Sequence, residues 1–150
     1  MEPNAQLAQQ VLDLLPKSLD DIVRVNRAYL TIRLATDEEI MELHHEILPD
    51  REPQMVIDDW RLVAFDKTVG EFCHTDISLL GDRPLGGVRI TSPVRKIDPD
   101  RGLVITNSGT LYGLGNPGEG EPPFEHLAMI CAACHSWGFG SVFGIPYFFY

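Results

Sequence analysis

Positive charge is scarce in this 150-residue chain and absent from its last 49 residues. Twelve Lys and Arg stand against 22 Asp and Glu, a formal net charge of −10, and none follows Arg101. Such a surface repels phosphate backbones and anionic headgroups, so no direct nucleic-acid binding and no membrane binding is expected. Long apolar runs are missing too, and nothing approaches the roughly 20 residues that span a bilayer. Cysteine is sparse: Cys73, Cys131 and Cys134 are an odd set, too few for a disulfide framework. The first residues carry no basic stretch, and Asp13 interrupts the first apolar run. No secretory leader is therefore expected, and reduced thiols fit a cytoplasmic protein.

Glycine is absent from residues 4–48, where Pro16 is the sole proline, whereas residues 81–123 hold fifteen of the 24 glycines and prolines. The first stretch is free to be helical, and three helices are expected there. Leu7, Val11, Leu14 and Leu15 repeat at helical spacing up to Pro16. Ser18 with Asp21 offers an imperfect capping box for a second helix through Leu19, Ile22, Val25 and Tyr29 toward Leu34. Thr36 with Glu39 is a full T-x-x-E box, opening a third helix expected to run to Leu48 with Ile40, Leu43 and Ile47 inward.

Beyond residue 54 the period becomes strand-like. Residues 54–57 and 60–65 flank Asp58-Asp59 and read as a hairpin. Residues 88–91 alternate, Ser92-Pro93 breaks or bulges the run, and residues 94–97 resume it. Residues 98–102 form a Pro- and Gly-containing turn, and 103–106 with 110–114 read as a tight hairpin around Asn107-Ser108-Gly109. Residues 68–87 show no period that selects an element. Pro122 and Pro123 open a final helix with Phe124, Leu127, Cys131 and Cys134 on one stripe and Gly138 as its cap. Seven of the thirteen aromatics lie in the last fourteen residues, which are expected to form a terminal strand or to dock on another chain.

The expected fold is thus a single α+β domain over residues 1–150. Its parts are about three N-terminal helices (5–48), an antiparallel, mainly hairpin-built sheet (54–115), and one C-terminal helix followed by an aromatic terminal strand (122–150).

Chemistry-bearing motifs are few. Cys131-x-x-Cys134-His135 has the spacing of a haem-attachment or thiol-redox site, but both thiols share a stripe with Phe124 and Leu127 and read as core. Cys73, Cys131 and Cys134 with His74 or His135 would make a Cys₃His zinc set. Cys73-His74-Thr75-Asp76 lists a thiol, an imidazole and a carboxylate, although triads converge from separate segments. Glu42 and His45 have E-x-x-H spacing on a charged face. Residues 113–120 are Gly-rich, yet carry Pro117 and Glu119 and no basic residue, so a phosphate cradle is not expected. No cofactor and no catalytic residue are assigned on this basis.

What remains is the surface. Residues 37–52 carry seven acids against Arg51 alone. Glu38, Glu39, Glu42 and Glu46 would steer a basic protein partner, with Tyr147 and Tyr150 as aromatic anchors. The leading expectation is a small acidic interaction module, of the physical type of inhibitors, immunity proteins and antitoxins, with a homodimer as the other protein-binding reading. The rival is a small enzyme, thiol-redox or metal-binding protein using Cys73, Cys131 or Cys134 with His74 or His135.

Overall fold

The computed structural model describes residues 5–6, 15–44 and 48–147. Its elements are β1 (Leu30–Leu34), α1 (Asp37–Glu42), β2 (Met55–Val69), β3 (Phe72–Asp82), β4 (Val88–Asp98), β5 (Leu103–Thr106), β6 (Leu111–Leu114) and α2 (Phe124–Ser136). This corrects the expected fold. The described chain is a mostly antiparallel six-stranded sheet with two helices, one short and one C-terminal, in place of three helices at the front.

The first expected helix lies largely outside the described residues, with only residues 5 and 6 assigned as helical. The second does not form. Ser18 Oγ accepts from the Asp21 amide, but it closes a turn, and Asn26 takes a left-handed φ of +56° that no helix tolerates. Residues 30–34 then alternate Leu, Thr, Ile, Arg, Leu, which is a period of two. Leu30 and Ile32 are buried, while Thr31 and Arg33 reach Asp66 on β2. The third helix keeps its Thr36–Glu39 capping box but ends at Glu42, and Leu43 caps it. Leu48, expected at its end, is instead buried against Leu103, Ile105 and Leu111.

β2 through β6 form a meander of five strands, each antiparallel to the next. An odd number leaves the first and last strands running the same way, so such a ring can close only through a parallel pair. It does so where Met55, Val56 and Ile57 of β2 lie beside Tyr112, Gly113 and Leu114 of β6. β1 pairs with the far half of β2, Leu30 opposite Lys67 and Leu34 opposite Val63.

β2 is therefore one bent strand; the expected hairpin at Asp58-Asp59 is not formed. The register steps from Asp58 opposite Asp82 to Arg61 opposite Leu80, which places one extra residue on β2. The hairpin falls later, at Gly70 and Glu71, where Gly70 supplies the φ of +61° at the first loop position. β4 bends at Ser92-Pro93 as expected, its first half pairing with β3 and its second with β5. The β5–β6 hairpin also forms as expected.

Residues 61–65 of β2 are buried on both faces, as a strand between two layers must be. Leu62 and Ala64 point into the ring with Ile57, Ile77, Leu79, Val94, Ile97, Val104 and Tyr112. Val63 and Phe65 point outward, beneath α2, and pack with Leu30, Ile32, Leu80, Leu127, Ile130, Cys131 and Cys134. α2 starts after Pro123 and ends with Gly138 at φ +94°, its amide donating to the His135 carbonyl. No terminal strand follows among the described residues. Residues 139–147 fold back over the same layer as turns, burying Ile145 and packing Phe139 and Phe143 against it.

Candidate functional site

The bulge in β2 is where the sequence places its densest polar chemistry. Asp59 sits there at a φ of +47°, a conformation a non-glycine residue adopts rarely. Three glycines make room for it. A Cβ on Gly81 would collide with the Ile57 side chain and lie 2.7 Å from the Asp58 carbonyl oxygen. One on Gly115 would strike the Asp58 carboxylate, and one on Gly118 would lie 2.6 Å from the Arg61 guanidinium.

Arg61, two residues past Asp59, is only 6% exposed. Its Nε donates to the Gly120 carbonyl and its Nη2 to the Glu119 carbonyl, both at 2.9 Å. A planar fork can satisfy two carbonyls of one turn at once, and this ties the approach to α2 onto the sheet. A longer contact of 3.3 Å runs from Nη1 to Asp59 Oδ2.

His126, in the first turn of α2, completes the cluster. Its side chain is 1% exposed, its Nε2 lies 2.7 Å from Asp82 Oδ1 at the end of β3, and 3.9 Å from Asp59 Oδ2. Its Nδ1 is buried with no hydrogen-bond partner among the described residues. A neutral imidazole carries one proton, and Nε2 is where an acceptor awaits it, so Nε2–H donates to Asp82. An open hollow of about 460 Å³ beside this cluster is lined in part by Asp82, Arg83, Glu125 and His126.

A second feature occupies the opposite character of surface. Val69 is 74% exposed and Phe72 80% exposed at the tip of the β2–β3 hairpin. Tyr29 lies alongside, its carbonyl accepting from the Thr68 amide at 3.0 Å. Val25, Trp137, Val142 and Tyr147 are exposed nearby on the turns that flank it. Asn26 Nδ2 donates to the Val142 carbonyl, and the Phe143 carbonyl accepts from the amides of Arg24 and Val25, so these turns form one surface. Beside the hairpin tip is a cavity of about 410 Å³ lined by Tyr29, Leu30, Lys67, Val69, Phe139 and Phe143 among others.

The residues singled out from sequence are dispersed. Cys131 and Cys134 lie in the core, where burial pushes both thiols up to about 12. Cys73 is exposed at the start of β3, and His74 beside it reaches Asp76 at 2.7 Å. His135 is in the last turn of α2, its Nε2 2.8 Å from the Ile145 carbonyl and its ring 4.9 Å from that of Tyr147. The Cys₃His set is not assembled: among the described residues, the group of His, Cys, Asp and Glu that converges within metal-ligating range is Asp59, Asp82 and His126. Glu38 and Glu42 are exposed on α1, while Glu39 is held by Arg33 and the cap. Tyr147 is exposed on the apolar face; Glu46 and Tyr150 lie outside the described residues.

Sequence reasoning missed Asp59, Arg61, Asp82 and His126. The readable signal was His126, an imidazole in the first turn of a helix whose neighbours Leu127, Ile130 and Cys131 are all core. Comparison with protein-family models, curated proteins and solved structures finds no match to this chain. The class its described fold defines is an α+β protein built on a closed five-stranded meander. No helix in it is long and apolar enough to cross a membrane.

Proposed function

We propose that this chain is a protein-interaction module that docks a partner on the face formed by the β2–β3 hairpin tip and the turns at residues 25–29 and 137–147. The observation that carries this reading is an apolar cavity lined by the exposed Tyr29 and Val69 with Phe139 and Phe143, beside Phe72, which is exposed opposite Val69 in the hairpin. Scattered exposed apolar residues need no explanation, but a contiguous set marks a contact surface. The cavity is large enough for an aromatic or branched aliphatic side chain, and its lining offers Tyr29, a residue type enriched among those that dominate binding energy at interfaces.

The partner is a protein with a basic surface. The net charge of −10 repels a second copy of this chain and accelerates encounter with a positive one. Exposed Glu38 and Glu42 contribute to that field, and Tyr147 supplies one anchor on the apolar face. Free thiols at Cys73, Cys131 and Cys134 suit a reducing, cytoplasmic setting. Occlusion of a partner's own site, as an inhibitor or antitoxin works, is one outcome of such docking.

The test is affinity capture from the native host, identification of the bound protein, and titration of that protein against the wild type and a Val69→Glu/Phe72→Glu variant. Loss of at least tenfold in affinity, with an unchanged circular dichroism spectrum, supports the reading. Equal affinity of the variant and the wild type overturns it.

A further inference from the structure

We propose that Asp59, Asp82 and His126 form a binding site for a divalent transition-metal ion, independently of the apolar face. Donor atoms around such an ion, with bonds of about 2.0–2.2 Å, stand roughly 3.0–3.4 Å apart at right or tetrahedral angles. The separations here bracket that range: His126 Nε2 is 2.7 Å from Asp82 Oδ1 and 3.9 Å from Asp59 Oδ2. All three ligand atoms lie within 4.8 Å of one another.

Two observations point to a cation at this place. Asp82 has no Lys or Arg within ion-pair distance among the described residues, and His126 is its partner there. Arg61 pairs with Asp59 at 3.3 Å while directing its shorter bonds at backbone carbonyls, so the carboxylate left without a cationic side chain is Asp82. The second observation is His126 itself, a metal-ligating side chain 1% exposed, held with Nε2 between the two carboxylates at 2.7 and 3.9 Å.

One nitrogen and two carboxylate oxygens are the donor set of Zn²⁺ and Mn²⁺, whereas Mg²⁺ and Ca²⁺ take oxygen alone. Three protein ligands leave a position open toward the hollow beside Arg83 and Glu125. Ligation at Nε2 moves the imidazole proton to Nδ1, where no acceptor waits. Affinity is therefore about 10–100-fold weaker than at a site whose histidine is held from behind. This predicts a micromolar site, one that exchanges its ion.

The experiment uses the full chain, stripped with chelator, in a Cys73→Ser background that removes the exposed thiol. Co²⁺ and Zn²⁺ are titrated near neutral pH, followed by absorption and calorimetry, with Mg²⁺ as the comparison ion. The expected result is one ion per chain, d–d bands without a thiolate-to-cobalt charge-transfer band, and at least tenfold weaker binding in Asp59→Asn and in Asp82→Asn. Asn at position 82 still accepts from Nε2–H, so a purely structural role would survive that change. The proposal is overturned by absence of saturable Co²⁺ and Zn²⁺ binding, by affinity unchanged in both Asn variants, by a thiolate band, or by Mg²⁺ binding as tight as Zn²⁺.

Discussion

The guanidinium of Arg33 grips the carboxylate of Glu39 through two bonds of 2.7 and 3.0 Å, and holds Asp66 on β2 through Nε and Nη2. Glu39 also accepts from the Thr36 amide, so this acid of the short helix α1 is a fastening between helix and sheet.

That fastening responds to acid. The Arg33 hydrogen bonds hold the Glu39 carboxyl down at about 2, well below its ordinary 4.5. A depressed carboxyl contributes stability that is complete above its unfolded value and lost as pH falls through its folded one. Stability should therefore drop between about pH 4.5 and 2, and Glu39→Gln should flatten that part of the curve. At neutral pH the substitution should cost about 1 kcal/mol, because the pair is partly exposed and screened. Urea unfolding across the acid range measures both effects.

Thiol reactivity should divide sharply. Burial raises Cys131 and Cys134 to about 12, leaving almost no thiolate at neutral pH, whereas Cys73 is exposed. Alkylation of the native chain should add one label quickly, at Cys73, and the other two only after denaturation. Fast native labelling at Cys131 or Cys134, read by peptide mass spectrometry, would contradict this core.

Arg61 should be intolerant even of lysine. Its fork satisfies the carbonyls of Glu119 and Gly120 together, and an ammonium offers no such geometry. Arg61→Met should lower stability by about 2–4 kcal/mol, and Arg61→Lys should recover only part of it. Thermal melts of the two variants beside the wild type decide the matter.

Gly81 is the hinge on which the bulge depends. Any Cβ there meets the Ile57 side chain and the backbone of the bulged strand, neither of which can withdraw. Gly81→Ala should cost about 1–3 kcal/mol and displace Asp59 from Asp82 and His126. If metal binding is the function of that cluster, the same variant should lose it while the β5–β6 hairpin keeps its native amide spectrum.

Much of the sheet was readable because its turns announce themselves. Asp98-Pro99-Asp100-Arg101-Gly102 and Asn107-Ser108-Gly109 fix the ends of β4, β5 and β6, and the 3.6-residue stripe of Leu127, Ile130, Cys131 and Cys134 fixes α2. The front failed for a physical reason. Leu30, Ile32 and Leu34 satisfy a period of two while their neighbours also permit a helix, and pairing with β2 decides between them. Asp58-Asp59 looked like a turn because two acids in sequence usually lie at one. A bulge inside a bent strand has the same local composition, and only the glycine opposite, Gly81, distinguishes it. The polar cluster escaped notice because its members come from β2, β3 and α2, joined by packing and not by spacing.

The parallel closure of the ring has a mechanical consequence. Its weld is short: Met55, Val56 and Ile57 against Tyr112, Gly113 and Leu114, next to a strand already kinked at Asp59. Every other junction of the meander is continued by a loop of the same chain, but this one joins segments distant in sequence, by backbone pairing and a few flanking bonds from Asp58, Trp60 and Arg61. It is the natural parting line of the molecule, the place where thermal breathing would first let deuterium reach amides that the rest of the cylinder keeps dry.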